Sequence, residues 1–429
     1  MTKGKMLHGA ICAPRLTGMN APRAKDPRLW QALIALLFAG LVLWRLGTPS
    51  KLYFDEIHYV PAARALLAHL PANPEHPLLA KAAIALAITA FGDTPFAWRL
   101  PSAMMGIVGL YAFGRALWWA TGRRVAALAG MLLLASDFAW FVQSRIAMLD
   151  MVMAGFTMVA LWMLARAQAT RAPAAQRLAL AASGLCFGLA LGAKWSALPV
   201  YALALLGTMA LRWWRGGGVL PGVALSEIAA WLGIWPLIAY ALTFWPAFSY
   251  AHDAIAPGDL LGWHRHMLAL QQSVVKHHPY QSVWWQWVAN WRSIWFLYEP
   301  VDGAQRGIVL IGNPVTMVAG LLALGHCIIR RTHLAIVALY AASLGLWIVG
   351  QKPVQFYYHY LLPGTFLMAA LAVGVDEMWR AGPRARREAI GVLALSLALF
   401  AWFWPILSAA PLHKGPASFE DWMWLSSWR

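Results

Sequence analysis

Three carboxylates and two histidines fall in two short segments, Asp55-Glu56-Ile57-His58 and Asn73-Pro74-Glu75-His76-Pro77, although charged residues make up only 12% of the chain. Adjacent acids beside an apolar phase are costly unless water, a cation or a substrate shares their site. One chemistry fits the pair directly. A carboxylate removes the proton of an acceptor hydroxyl while its neighbour orients substrate or a cation. The same two residues also suit a helix start, with Asp55 as N-cap and Glu56 in the first turn of a helix continuing over 60–68. The pair alone leaves both readings open.

The elements that hold these acids are apolar. The chain has 429 residues, 61% of them hydrophobic, 26 tryptophans, and a mean hydropathy of +0.57. Such values mark a polytopic membrane protein and exclude an ordinary soluble domain. Net charge is +17. Most Lys and Arg sit in short loops between apolar runs, as membrane orientation requires, so nucleic acid is not the expected partner. Apolar runs at 30–46, 98–120, 125–142, 146–165, 178–193, 197–213, 228–245, 308–329, 334–349, 356–375 and 390–407 predict about eleven spans. The run at 78–91 is too short to cross and is expected in the interface. The predicted layout is a basic cytoplasmic tail over 1–29, a membrane domain over 30–408 and an outer tail over 409–429. Outer loops are expected at 48–97 and 246–306. The polar start is too long for a signal peptide, so 30–46 is expected to stay as an anchor. Cys12, Cys186 and Cys327 offer neither a disulfide framework nor a zinc motif.

The motifs, in order, are Phe54-Asp55-Glu56, His76-Pro77-Leu78-Leu79-Ala80-Lys81, Trp98-Arg99-Leu100-Pro101-Ser102 and Ser144-Arg145 with Leu149-Asp150. They continue with Gly192-Ala193-Lys194-Trp195, His278-Pro279-Tyr280-Gln281-Ser282, Ile311-Gly312-Asn313-Pro314 and Phe356-Tyr357-Tyr358-His359-Tyr360. Together they resemble the protein O-mannosyltransferase family of membrane glycosyltransferases, across residues 50–365 and in that family's order. Two departures stand out. Leu78 replaces the second proline of the family's His-Pro-Pro, and Pro74 stands where eukaryotic members carry an Asp, with Glu75 the adjacent acid. Residues 246–306 also leave no room for the soluble insert of eukaryotic members, so the resemblance is to a short bacterial member.

The resemblance implies an all-α membrane protein of GT-C type in a bacterial inner membrane, with catalytic loops outside. It would transfer a hexose, mannose by resemblance, from a polyprenyl-phosphate carrier to an acceptor hydroxyl with inversion. The expected acceptors are Ser/Thr of exported proteins; a lipid or envelope glycan is the alternative, and a lipid-headgroup transporter a further rival. Asp55 would be the base. Glu56 would be catalytic beside it, helping with Glu75 to shape the acceptor and sugar side, where His76, His278, Tyr280 and His359 would also bind. Arg99, Arg145 and Lys194 would hold the donor phosphate at headgroup depth, Arg by paired hydrogen bonds and Lys as a compact charge. Snorkelling is the competing explanation for those cations, and a backbone-satisfied histidine that for His359. Asp150, a turn beyond Arg145, is expected to pair with it. The sequence implies no particular cofactor, the lipid-linked sugar being a substrate; a divalent cation shared by the acids is compatible with the site, and no metal-ligand motif is present.

Overall fold

The computed structural model describes residues 25–273, 278–350, 352–413 and 415–429. Most of the basic tail, with Cys12, lies outside the described residues. Local signals start and stop the helices. Thr94 caps α4 (Pro95–Thr121), with Pro95 at its first position and left-handed Gly122 after its end. Asn313 caps α14 (Pro314–Arg330) in the same manner. The other helices are α1 (Arg28–Leu43), α2 (Glu56–Leu67), α3 (Leu79–Phe91), α5 (Arg124–Ala135), α6 (Phe138–Gln143), α7 (Leu149–Ala169), α8 (Pro173–Ala193) and α9 (Leu198–Arg215). After them come α10 (Leu225–Ala229), α11 (Trp235–Leu242), α12 (Leu260–Ser273), α13 (Trp284–Val288), α15 (Leu334–Val349), α16 (Leu361–Ala381) and α17 (Pro383–Leu407).

Among the described residues, seven helical segments are long and apolar enough to cross a membrane, and α1, α3, α5, α14 and α15 are shorter apolar helices. Length and composition alone thus account for seven of the roughly eleven expected crossings. The protein is the helical membrane fold expected, with one hairpin added among the described residues. Strands β1 (Ile294–Val301) and β2 (Ala304–Leu310) form an antiparallel hairpin. Residues 308–310, expected to open a span, are β2 instead: β-branched Ile308 and Val309 pair with Leu297 and Trp295. The span expected over 125–142 is broken at Ser136-Asp137, where the Asp137 carboxylate caps α6 by accepting the Trp140 N–H at 2.8 Å.

Small residues let the spans approach closely. A Cβ on Gly109 of α4 would stand 3.1 Å from the Gly155 Cα of α7. One on Gly184 of α8 would collide with the Trp231 carbonyl in the π turn joining α10 to α11. The connections gather at two ends. At one, the 44–78 loop meets the hairpin through Lys51–Glu299 at 2.6 Å, Gln271 donates to the Glu75 carbonyl, and the Leu412 N–H donates to the Gln305 carbonyl. The other end holds Arg123–Asp376, Arg177–Glu227 and His326–Glu377.

Candidate active site

Phe54 opens the site. Its φ of 49° places a bulky residue in left-handed backbone, and its ring stacks on Phe296 with centroids 4.1 Å apart. Such a conformation costs roughly 1–2 kcal/mol and persists where packing imposes it. Just after this turn, Asp55 and Glu56 have different partners. Glu56 is fully buried and accepts both Arg99 Nε (2.8 Å) and Arg99 Nη2 (3.0 Å), together with the Ala147 N–H at 3.0 Å. Asp55 occupies the N-cap position of α2 without making a side-chain cap bond. Its half-buried carboxylate has no hydrogen bond or ion pair among the described residues. Burial, opposed by Lys194, pushes that carboxyl up to about 6.

The expected trio of phosphate-binding cations is not arranged as one cradle. Arg99 commits all of its N–H donors: besides Glu56, it donates to the carbonyls of Leu46, Pro49 and Lys51. It knits the 44–56 loop to α4 and has none left for a phosphate. Arg145 donates to the carbonyls of Val42 (2.6 Å) and Trp44 (2.8 Å), closing the C-terminal end of α1. Asp150, expected beside Arg145, instead binds Lys194: its two oxygens lie 2.8 and 2.7 Å from the ammonium. The reason is steric. Arg145 is drawn toward α1, whereas Lys194 ends α8 close to the start of α7.

Lys194 is thus the one cation of the three that faces Asp55. Its ammonium sits 5.0 Å from the centre of the Tyr358 ring, and two of its three N–H groups engage Asp150, which leaves the third for a ligand. Lys352, seen in the sequence only as a span end, completes the charge cluster. It interacts electrostatically with Lys194, Asp150, Asp55 and Glu75, and burial lowers its ammonium to about 8. Its sequence signal was its place just ahead of Phe356-Tyr357-Tyr358-His359.

The 73–76 turn forms the other wall. Asn73 Nδ2 donates to the Glu75 carboxylate at 2.6 Å, and buried Lys81 clamps the carbonyls of Asn73 (2.6 Å) and His76 (2.8 Å). The His76 imidazole meets the Tyr59 ring edge-on at 6.0 Å, and burial with Lys194 and Lys352 nearby holds its pKa well below the usual value. His278 and Tyr280 lie on a strap alongside: the Tyr280 N–H donates to His278 Nδ1, the His278 ring abuts Phe356 at 5.0 Å, and Ser282 N–H bonds the Gln355 carbonyl. His359 is buried and stacked on Trp347 at 3.9 Å, and its Nδ1 accepts the Phe356 N–H. Its Nε2 has no partner among the described residues, and the residue borders a small cavity lined also by Asp150, Ser196, Trp347 and Tyr358. Among the described residues no group of three or more His, Cys, Asp or Glu is placed to hold a metal ion.

Two solved structures share this architecture. The S. cerevisiae protein O-mannosyltransferase Pmt1-Pmt2 complex bound to the sugar donor matches with a TM-score of 0.81 at 14% identity, over 95% of this chain and 93% of that one. ArnT from Cupriavidus metallidurans in the apo state matches with a TM-score of 0.59 at 16% identity, over 92% of this chain and 68% of that one. The fold is of GT-C type, with an acidic, lysine-bearing hollow at one end of its helices. Residues 88–252 match the dolichyl-phosphate-mannose-protein mannosyltransferase family, and 258–343 match the C-terminal four-transmembrane region of protein O-mannosyltransferases. The chain belongs to the protein O-mannosyltransferase family. Among its relatives, the polyprenol-phosphate-mannose–protein mannosyltransferase of Mycolicibacterium smegmatis is 26% identical, over 93% of this chain and 92% of its own. That of Corynebacterium glutamicum is 29% identical, over 89% of each.

Proposed function

We propose that the protein transfers mannose from a polyprenyl-phosphate carrier to Ser/Thr hydroxyls of exported proteins. The relatives' names and their near full-length coverage support the reaction class. The observation that carries the assignment of roles is the unpartnered Asp55 carboxylate facing the Lys194–Asp150 pair and Lys352. Asp55 takes the proton of the acceptor hydroxyl as its oxygen attacks the anomeric carbon. The carbon–phosphate oxygen bond breaks on the opposite side, and the electron pair leaves with the phosphate. Lys194 and Lys352 stabilise the charge that grows on that phosphate. Attack opposite the leaving group inverts the anomeric centre. Glu75 and His76 line the acceptor side, with His278, Tyr280 and His359 around the sugar. Glu56, Arg99 and Arg145 act as positioning residues that fix the loop carrying Asp55. A divalent cation near Asp55 and Asp150 is an optional addition to this scheme, not a requirement.

The test uses purified protein with polyprenyl-phosphate mannose and a Ser/Thr-rich acceptor peptide, with product mass and anomeric configuration read by mass spectrometry and NMR. Asp55→Asn should fold normally and lower turnover by about 10²–10⁴-fold. Near-normal turnover in that variant would remove Asp55 from the reaction, and labelled lipid or glycan in place of peptide would move the acceptor to another class.

A further inference from the structure

A shallow recess of about 40 Å³ opens where the ends of α1 and α17 meet, lined by Trp44, Arg45, Arg145, Trp404, Ser408 and Ala409. Its charge is unbalanced. Arg145 is only 6% exposed, yet among the described residues no carboxylate bonds either Arg145 or Arg45. The buried cations Arg99, Arg115 and Lys194 each meet an acid, whereas Lys81 and Arg306, like Arg145, are held by backbone carbonyls. Arg145 directs Nη1 to the α1 carbonyls and Nη2 to the Arg45 carbonyl at 3.4 Å, while its Nε makes no hydrogen bond among the described residues. Arg45 and Ala409, on the two chain segments bounding the recess, both hold left-handed backbone, with φ of 52° and 56°. A buried guanidinium without a counter-ion is costly, and an anion entering the recess relieves that cost.

We propose that this recess binds the phosphate of an anionic lipid, apart from the Asp55 hollow. The phosphate oxygens accept from Arg145 Nε and from the Arg45 guanidinium, the planar forks suited to phosphate. Trp44, 67% exposed, and Trp404 flank the opening with rings that favour the headgroup region. The exposed Leu33, Leu36, Leu37 and Leu41 of α1 supply apolar surface for the acyl or prenyl chains. The shared chemistry is a lipid-borne phosphate, belonging either to a bilayer phospholipid or to a discharged polyprenyl carrier.

Native mass spectrometry of the full chain in neutral detergent tests this, with titrations of phosphatidylglycerol, phosphatidylcholine, polyprenyl phosphate and inorganic phosphate. A phospholipid occupant predicts phosphatidylglycerol bound about 10-fold tighter than phosphatidylcholine, with that preference falling about 5–10-fold in Arg45→Glu. A carrier occupant predicts two bound polyprenyl phosphates in the wild type and one in Arg45→Glu. Arg145→Lys, which keeps the charge, should retain more of the preference than Arg45→Glu in either case. Donor KM should be unchanged in Arg45→Glu, separating this recess from the reaction site. The proposal is overturned if phosphatidylglycerol shows no preference and the polyprenyl phosphate count does not change on substitution. It is also overturned if inorganic phosphate binds as tightly as the lipids.

Discussion

Asp55 and Lys352 are held in the same hollow and are moved in opposite directions by it. Burial raises the carboxyl to about 6 and lowers the ammonium to about 8, so each charged form is harder to keep than in water. The base form of Asp55 grows as pH rises through about 6, and the charged form of Lys352 is lost as pH rises through about 8. The free-enzyme profile of kcat/KM should therefore be a bell between these limits. Lys352→Arg should carry the alkaline limb upward by about one pH unit or more while leaving the acid limb in place. An alkaline limb that stays put would take Lys352 out of phosphate binding. Residue types told this story only in part. Asp55, Glu75, His76 and Lys194 were legible because acids, a histidine and a lysine are rare in apolar sequence. Glu56 could not be told from Asp55, because one left-handed residue, Phe54, sends adjacent carboxylates to different surroundings. Lys352 was hidden because a cation at a span end ordinarily means an interface anchor.

At the scale of elements, Arg99 is where sequence reasoning was most misled. Its motif position suggested a phosphate, whereas its five N–H groups tie α2 and the 46–51 loop to α4. Donor counting settles the matter only with coordinates, because the partners are mostly backbone carbonyls that no sequence pattern marks. Arg99→Lys should cost about 3–5 kcal/mol of stability, as expected for breaking a buried, multiply bonded pair. It should leave donor KM unchanged in the folded fraction, which thermal unfolding and steady-state assays would show together; a raised donor KM with normal stability would restore Arg99 to phosphate binding. The spans were visible from hydropathy, and most begin or end within a few residues of expectation. The hairpin was not, because β1 lies in the expected outer loop and the apolar end of β2 reads as the start of the next span; only pairing across Asp302-Gly303 reveals the two strands.

For the whole molecule, the arginine-rich loops and the acid-bearing loops gather at opposite ends, and we propose the sidedness that this separation suggests. In that arrangement the start of the chain lies in the cytoplasm, and the site and the 409–429 tail face outward across a bacterial inner membrane. Alkaline phosphatase fused after residue 70 or 303 should be active, and fused after residue 123 or 331 inactive; the reverse pattern would invert the protein. One consequence follows from two lysines facing a single hollow. The donor is a phosphodiester carrying one negative charge, while the carrier it leaves behind is a monoester carrying about 1.5 to 2 at neutral pH. Cations placed to help the sugar depart therefore grip the remnant harder than the reagent, and exit of the used prenol sets the pace. Rapid-quench traces should show a first turnover faster than every later one, and added free prenyl phosphate should slow the steady state; a trace linear from its origin would place the slow step in the chemistry instead.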